Sequence, residues 1–264
     1  MKLGFIGCGN MASAVMGGIL KKGLAKPEEI MGSNPHQPAL DKVKNSFGIQ
    51  VTLDNKEAVS WGEIVFLGMK PQQAENAVPG VAEVLTRDQL LISMVTGKTV
   101  DWLENQLGSD KKIIRIMPNT PALVGEGMTA VIPNKNVSEG ELDMAMQLFS
   151  SFGKAQVIPE HLLNAEMAAA SCSPAYVFMM IEAMADGAVA GGIPRSQAME
   201  FAAQAVLGSA KMVLETGKHP GELKDMVCSP AGTTIEAVRV LEENGFRAAL
   251  MDAMKACIKR AEEL

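Results

Sequence analysis

The sequence predicts an α/β N-terminal domain built on a mostly parallel sheet, residues 1–158, followed by an all-α domain, residues 159–264. Three observations carry this division. Short β-rich runs alternate with helical patterns from residue 3 to about 158, the sign of βαβ units. Strand-like alternation then stops at Pro159, and long amphipathic stretches take over. Composition shifts with it: aromatics are only 4% of the chain, nine of the 19 methionines follow residue 161, and Met and Ala suit helix–helix seams.

In chain order the strand-like runs are 3–6, 30–32, 50–52, 64–68, 90–93, 113–116 and 129–132, with a short eighth at 155–157. Helical patterns between them start near Met11, Pro38, Lys56, Gln72, Val100 and Ser138. The second part reads as helices at 164–171, 175–191, 195–216, 220–227, 231–243 and 246–263. Ser173-Pro174, Gly191-Gly192-Ile193-Pro194, Gly217-Lys218-His219-Pro220 and Ser229-Pro230 punctuate it, with Pro at first-turn positions after small or polar caps. So many short apolar seams exceed what one small bundle buries, which points to burial against a second copy in a two-fold dimer.

Charge and composition exclude several classes. Lys and Arg number 24 against 30 Asp and Glu, a net charge of −6 without basic runs, so neither nucleic acid nor a membrane surface is the expected partner. Cys8, Cys172, Cys228 and Cys257 are far apart and form no CxxC, which indicates neither a disulfide framework nor a zinc site. The first apolar run breaks at Gly7, and no uninterrupted run of about 18 apolar residues occurs. The expectation is a cytoplasmic protein with a small-molecule ligand and no metal.

Gly7-Cys8-Gly9-Asn10-Met11-Ala12 places G-x-G-x-x-A directly between the first strand and the first helix. In the Rossmann arrangement the first glycine permits the tight turn and the second lets backbone approach a pyrophosphate. The small third residue packs helix on strand. The helix N-terminus then offers free N–H groups to the phosphates. After the second strand, NAD-specific sites carry Asp or Glu, whereas this chain has Gly32-Ser33-Asn34-Pro35-His36. No carboxylate there repels a 2′-phosphate, and Ser33 and Asn34 are candidate donors to it, so the expectation is NADPH, with NADH as the alternative. The same residues also suit an ordinary turn. Later strand ends supply Gly68-Met69-Lys70-Pro71-Gln72, Val95-Thr96-Gly97 and Met117-Pro118-Asn119-Thr120-Pro121.

The helical part holds two stretches rich in small hydroxyl residues, 170–176 and 228–234. In each, Ser-Pro reads as a cap plus first helical position, and such an N-terminus suits a substrate carboxylate; taken alone, both also read as ordinary caps. A carbonyl reductase needs an acid to protonate the developing alkoxide. Yet 155–210 contains no Lys, and His36, His161 and His219 read as exposed turn residues rather than catalysts. An imine in its iminium form needs no strong enzymic acid. A β-hydroxyacid dehydrogenase and a non-catalytic nucleotide-sensing oligomer are the competing readings.

Nearly the whole chain resembles the pyrroline-5-carboxylate reductase family. The resemblance rests on Phe5-Ile6-Gly7-x-Gly9-x-Met11, Lys70-Pro71, Arg115-x-Met117-Pro118-Asn119-Thr120-Pro121 and Ser173-x-Ala175-Tyr176. Its most specific stretch is His219-Pro220-Gly221-Glu222-Leu223-Lys224-Asp225-x-Val227-x-Ser229-Pro230-x-Gly232-x-Thr234, followed by Gly245-Phe246-Arg247. The resemblance implies reduction of L-1-pyrroline-5-carboxylate to L-proline, the last step of proline biosynthesis. It implies that Gly7, Gly9, Asn10, Met11, Ser33, Asn34, Asn55, Lys70, Pro71 and Thr96 surround the cofactor. Ser229, Gly232 and Thr233 would hold the substrate carboxylate, Thr234 would hydrogen-bond the ring nitrogen as the catalytic residue, and Glu160 would sit near the substrate amine. It further implies an interleaved homodimer with a pocket built from both subunits, and dimers that associate into rings. Four positions depart from the family pattern: Ser173 and Ala231 stand where Gly is common, Met226 where Asn is frequent, and Thr233 where Ala is frequent.

Overall fold

The computed structural model describes residues 1–263, so Leu264, the last residue of the expected helical domain, lies outside the described residues. By internal contacts the chain forms two compact units, Met1–Ser171 and Cys172–Glu263.

The first unit winds β1 (Leu3–Ile6), α1 (Asn10–Lys21), β2 (Ile30–Ser33), α2 (Gln37–Phe47), β3 (Gln50–Thr52), α3 (Asn55–Trp61), β4 (Ile64–Leu67), α4 (Pro71–Ala82), β5 (Leu90–Ser93), α5 (Val100–Leu107) and β6 (Lys112–Pro118). It continues through β7 (Gly127–Pro133), α6 (Glu139–Phe149), β8 (Gly153–Val157) and α7 (Leu163–Glu166). The sheet order is β3-β2-β1-β4-β5-β6-β7-β8, all parallel except that β7 runs antiparallel to β6. Chain direction across the sheet reverses between β1 and β4, and such a switch point opens a crevice beyond the carboxyl ends of the strands.

The central strands are buried on both faces, so their side chains feed two cores. Leu3, Phe5, Phe66 and Ile92 pack with α1, α2 and α6, where the Phe5 and Phe66 rings stack at 4.5 Å. Ile6, Val65, Leu67 and Leu91 pack with α3, α4 and α5 on the other face. Burying one Leu or Phe contributes roughly 1.5–3 kcal/mol, so this double layer dominates the stability of the unit.

Residues 159–171, which the sequence pattern groups with the helical part, pack onto this sheet. Leu163 and Met167 sit against Val100, Met117, Ala130 and Ile132. Asn119 Nδ2 donates to Ala170 O at 2.9 Å while its Oδ1 accepts from Met128 N, so the Pro118–Thr120 turn grips the segment. Met167–Ser171 is a π-helical turn.

The second unit comprises α8 (Ser173–Ala190), α9 (Arg195–Thr216), α10 (Pro220–Val227), α11 (Thr233–Glu243) and α12 (Phe246–Glu262). Its own core is a seam of Ala185, Ala198 and Ala202 between α8 and α9. Phe178, Met179, Phe201 and Leu214 remain more than 60% exposed, far more apolar surface than a monomer tolerates. Within residues Glu160–Ala190 an 18-residue window has a mean hydropathy of 1.3, apolar enough by composition to cross a membrane, although Glu166, Glu182 and Asp186 lie in the stretch.

Glu166 is a local liability. Both carboxylate oxygens are buried without a hydrogen-bond partner, and burial pushes the group up to about 7, with Ser171 offsetting this in part. Ser171 Oγ is near but outside hydrogen-bond geometry. Because the folded value exceeds that of the unfolded chain, near 4.5, its stability contribution is complete below that pH and is lost as pH rises through about 7. The loss is on the order of 1–2 kcal/mol, allowing for solvent screening of a half-buried group. Urea midpoints at about pH 5 and about pH 8 should therefore differ less in Glu166→Gln than in the parent chain; equal differences would place the titration elsewhere.

Candidate active site

The site is built from the turn after β1. Gly7 has φ +97°, and a Cβ there would lie 2.4 Å from Gly68 O, so only glycine fits. Gly7 N donates to Ser33 O and Gly68 N to Ile6 O, both at 2.8 Å, which laces together the ends of β2, β1 and β4. Gly9 is the N-cap of α1, has no side chain to claim the first helical N–H groups, and would meet nothing within 4 Å if it carried a Cβ. That open space belongs to a cleft of about 480 Å³. Gly7 and Gly9 form its floor, Asn34, Pro35 and His36 the β2 side, Leu53 and Asn55 the β3 side, and Gly68, Met69, Lys70, Gln73 and Asn76 the β4 side. Among the described residues that line it there is no carboxylate. The donor set and glycine floor fit a dinucleotide, with α1 aimed at its phosphates.

The expected cofactor residues divide into three sets. Gly7, Gly9, Asn34, Asn55 and Lys70 line the cleft. Asn10 and Met11 open α1, Pro71 opens α4, and Thr96 lies exposed in the loop after β5, all outside the cleft lining. Ser33 is placed differently from the expectation of a phosphate donor: it is fully buried, with its hydroxyl 3.2 Å from Phe5 O and 2.8 Å from the Asn55 side-chain amide. One hydroxyl proton cannot serve two acceptors. Both contacts are satisfied when Asn55 presents its NH₂ to Ser33 Oγ, since amide orientation follows from such networks. Ser33 therefore faces inward and orients Asn55. Beneath the turn, Cys8 donates to Ser33 O at 3.5 Å, and burial pushes its thiol up to about 12.

Glu160 Oε1 accepts from Arg115 Nη1 at 2.6 Å and from Val100 N at 2.9 Å, so the carboxylate caps α5 while pairing with a buried guanidinium. Its other oxygen is left for further contacts. Beside it lies a second cleft of about 450 Å³ lined by Val100, Asp101, Ile132, Val157 and Ile158. No group of three or more metal-ligating side chains occurs among the described residues.

In the second unit the helix caps fall elsewhere than the Ser-Pro reading expects. Ser173 is not a cap, because α8 takes Cys172 as its N-cap and Ser173 as its first helical residue. Ser229 and Pro230 form a turn closed by Gly232 N donating to Ser229 O at 3.1 Å, and Gly232 is the N-cap of α11. Thr233 and Thr234 are its exposed first two residues. A Cβ on Gly232 would lie 2.4 Å from Ser229 Oγ, so the small residue lets the serine fold over the helix end. His219, read from sequence as an exposed turn residue, caps α10 by accepting from Gly221 N at its Nδ1.

The comparisons with known proteins bear on this layout. Residues 160–264 match the family described as pyrroline-5-carboxylate reductase dimerisation, and residues 2–97 match the family described as NADP oxidoreductase, coenzyme F420-dependent. A pyrroline-5-carboxylate reductase of Escherichia coli is 50% identical over 100% of this chain and 98% of its own. The chain belongs to the pyrroline-5-carboxylate reductase family. A solved family member from Coxiella burnetii superposes with a TM-score of 0.93 at 32% identity, covering 99% of this chain and 97% of that one. Another, from Plasmodium falciparum with NADP bound, gives 0.89 at 32% identity, covering 100% and 97%.

Within the family pattern, Ala231 is the departure with a structural cost. It follows Pro230 as the third residue of the Ser229–Gly232 turn and is the one non-glycine with positive φ, +55°, among the described residues. Pro then a left-handed residue is the signature of a type II turn, where glycine is favoured. Met226, by contrast, lies exposed on α10 at 61%. Ala231→Gly should raise stability by up to about 1 kcal/mol, the left-handed penalty less the extra entropy of an unfolded glycine. An unchanged urea midpoint would show that the turn absorbs the strain.

Proposed function

We propose that the chain is the NAD(P)H-dependent oxidoreductase that reduces L-1-pyrroline-5-carboxylate, a cyclic imine, to L-proline in the last step of proline biosynthesis. The observation that carries this is the full-length 50% identity to a reductase of that name, in a chain whose glycine turn opens onto a carboxylate-free cleft. NADPH, when bound, supplies the hydride to the imine carbon.

The protein's work is binding and orientation. Gly7, Gly9 and the α1 N-terminus hold the dinucleotide phosphates, joined by Asn10 and Met11. Asn34 and Asn55 flank the β2 and β3 side, and Lys70, Pro71 and Thr96 the β4 and β5 side. Ser33 acts through Asn55. Residues 159–264 form the dimerisation and substrate module. The N–H groups of Thr233 and Thr234 at the start of α11, beside Gly232 and Ser229, hold the substrate carboxylate; no side chain caps that helix, which supports the reading. Thr234 hydrogen-bonds the ring nitrogen, and Glu160, steadied by Arg115, sits near that same nitrogen with its negative charge towards the iminium. Since the iminium carries its proton before hydride arrives, neutral groups suffice and orientation supplies most of the rate.

The dimerisation match and the exposed apolar faces of α8 and α9 support self-association. The finer reading is an interleaved homodimer, further assembled into a ring of dimers. We place the enzyme in the cytoplasm, where Cys8, Cys172, Cys228 and Cys257 stay reduced.

Oxidation of NADPH in the presence of L-1-pyrroline-5-carboxylate tests the assignment; absence of turnover with both NADPH and NADH would overturn it. Thr234→Ala should lower kcat/KM by about 10- to 100-fold, the range for one hydrogen bond to a charged group, and unchanged kinetics would remove Thr234 from the mechanism. Light scattering should give a mass above that of one chain, in multiples of two chains.

A further inference from the structure

We propose that His36 is the residue through which this chain distinguishes NADPH from NADH, its imidazole donating to the 2′-phosphate of the adenosine ribose. The inference rests on the dinucleotide reading of the cleft and deepens it. In a sheet with this strand order the ribose 2′-position is read at the end of the second strand. Here that end offers few donors. The Ser33 hydroxyl is buried and engaged by Phe5 O and Asn55. The N-terminus of α2, a ready anion site in other helices, is depleted: Pro38 has no N–H, and the N–H groups of Ala39 and Leu40 both return to His36 O, at 3.1 and 3.4 Å. Gln37 N–H and the Asn34 amide are what the backbone and loop leave.

The loop is nevertheless fixed. Asn34 N donates to Thr52 O, and Asn34 Oδ1 accepts from His36 N at 3.0 Å, with Pro35 rigid between them. This turn holds Asn34 and His36 on the same wall of the cleft, with the Asn34 NH₂ left to donate. Among the described residues lining the cleft, His36 and Lys70 are the titratable ones. They stand at opposite ends, because β2 and β4 flank β1 on either side. Lys70 therefore serves the end beyond β4, and His36 is the group able to bring positive charge to the end beyond β2. The carboxylates on neighbouring elements are engaged elsewhere: Asp41 with Gln37 Nε2, Glu57 with Thr52 Oγ1, and Asp54 as the cap of α3. A hydrogen bond from an imidazole N–H to a phosphomonoester is charge-assisted, because the acceptor is an anion.

The test is calorimetric binding of adenosine 2′,5′-bisphosphate and of ADP, which lacks the 2′-phosphate, to the full chain, alongside steady-state rates with NADPH and NADH. The parent chain should bind the bisphosphate more tightly than ADP. His36→Ala should weaken the bisphosphate by about 10- to 100-fold, the worth of one charge-assisted hydrogen bond, and ADP far less. His36→Lys should restore the difference. Equal weakening of both ligands in His36→Ala, or no weakening of either, would overturn the proposal, as would a parent chain that binds both ligands alike. A chain that discriminates the two nucleotides through His36 yet turns over no imine with either cofactor would uphold this inference and overturn the proposed reaction instead.

Discussion

The structure depends on the closeness of two backbones at the switch point of the sheet. Gly7 and Gly68 approach so nearly that a single methyl group on Gly7 would overlap a carbonyl oxygen. That approach is what allows backbone hydrogen bonds to tie the ends of β2, β1 and β4 together. With the strand ends drawn level, the loops that follow them open to one side and share a single cleft, and α1 begins at its floor. Moving these strands apart to admit a side chain would detach the cleft walls and disturb both apolar layers beneath, since Phe5 and Phe66 stack across the same pair of strands. The close-packed interior passes such a displacement on rather than absorbing it.

The second unit follows the opposite logic. Its helices are long and regular, yet the seam between α8 and α9 is lined by alanines, and large apolar side chains point outward. Small residues bring two helices close but remove little apolar area from water. A unit of this kind gains its stability from what it packs against, which is consistent with a family whose helical portion is defined by dimerisation.

Most of the architecture was legible because both periods in the sequence are strong. All eight strand-like runs became strands, and β6 and β7 proved longer than their apolar cores, since polar ends pair as readily as apolar ones. The helical stretches of the second part also matched closely. What stayed hidden has a common cause: it depends on where a side chain points, not on its type. Ser33 has the chemistry of a phosphate donor but faces inward from a buried strand end. His36 looks like an ordinary turn residue and becomes part of a wall only because Asn34 fixes the loop. Ser173 and Ser229 have the composition of caps, yet α8 takes Cys172 as its cap instead of the one and a four-residue turn shifts the start to Gly232 for the other. Likewise the change from strands to helices at Pro159 does not mark the limit of the first compact unit, because Asn119 and Met117 hold the following residues against the sheet. Nothing in the local sequence announces that grip.

Cys8 carries a consequence for chemical labelling. Alkylating and oxidising reagents attack the thiolate, and burial pushes the Cys8 thiol up to about 12, which keeps it protonated at neutral pH. There is also no room for an added group, since even a Cβ on the neighbouring Gly32 would come within 2.7 Å of the sulfur. Inactivation of this protein by a thiol reagent would thus report on the cysteines of the helical part, and the glycine turn after β1 would come through such treatment untouched.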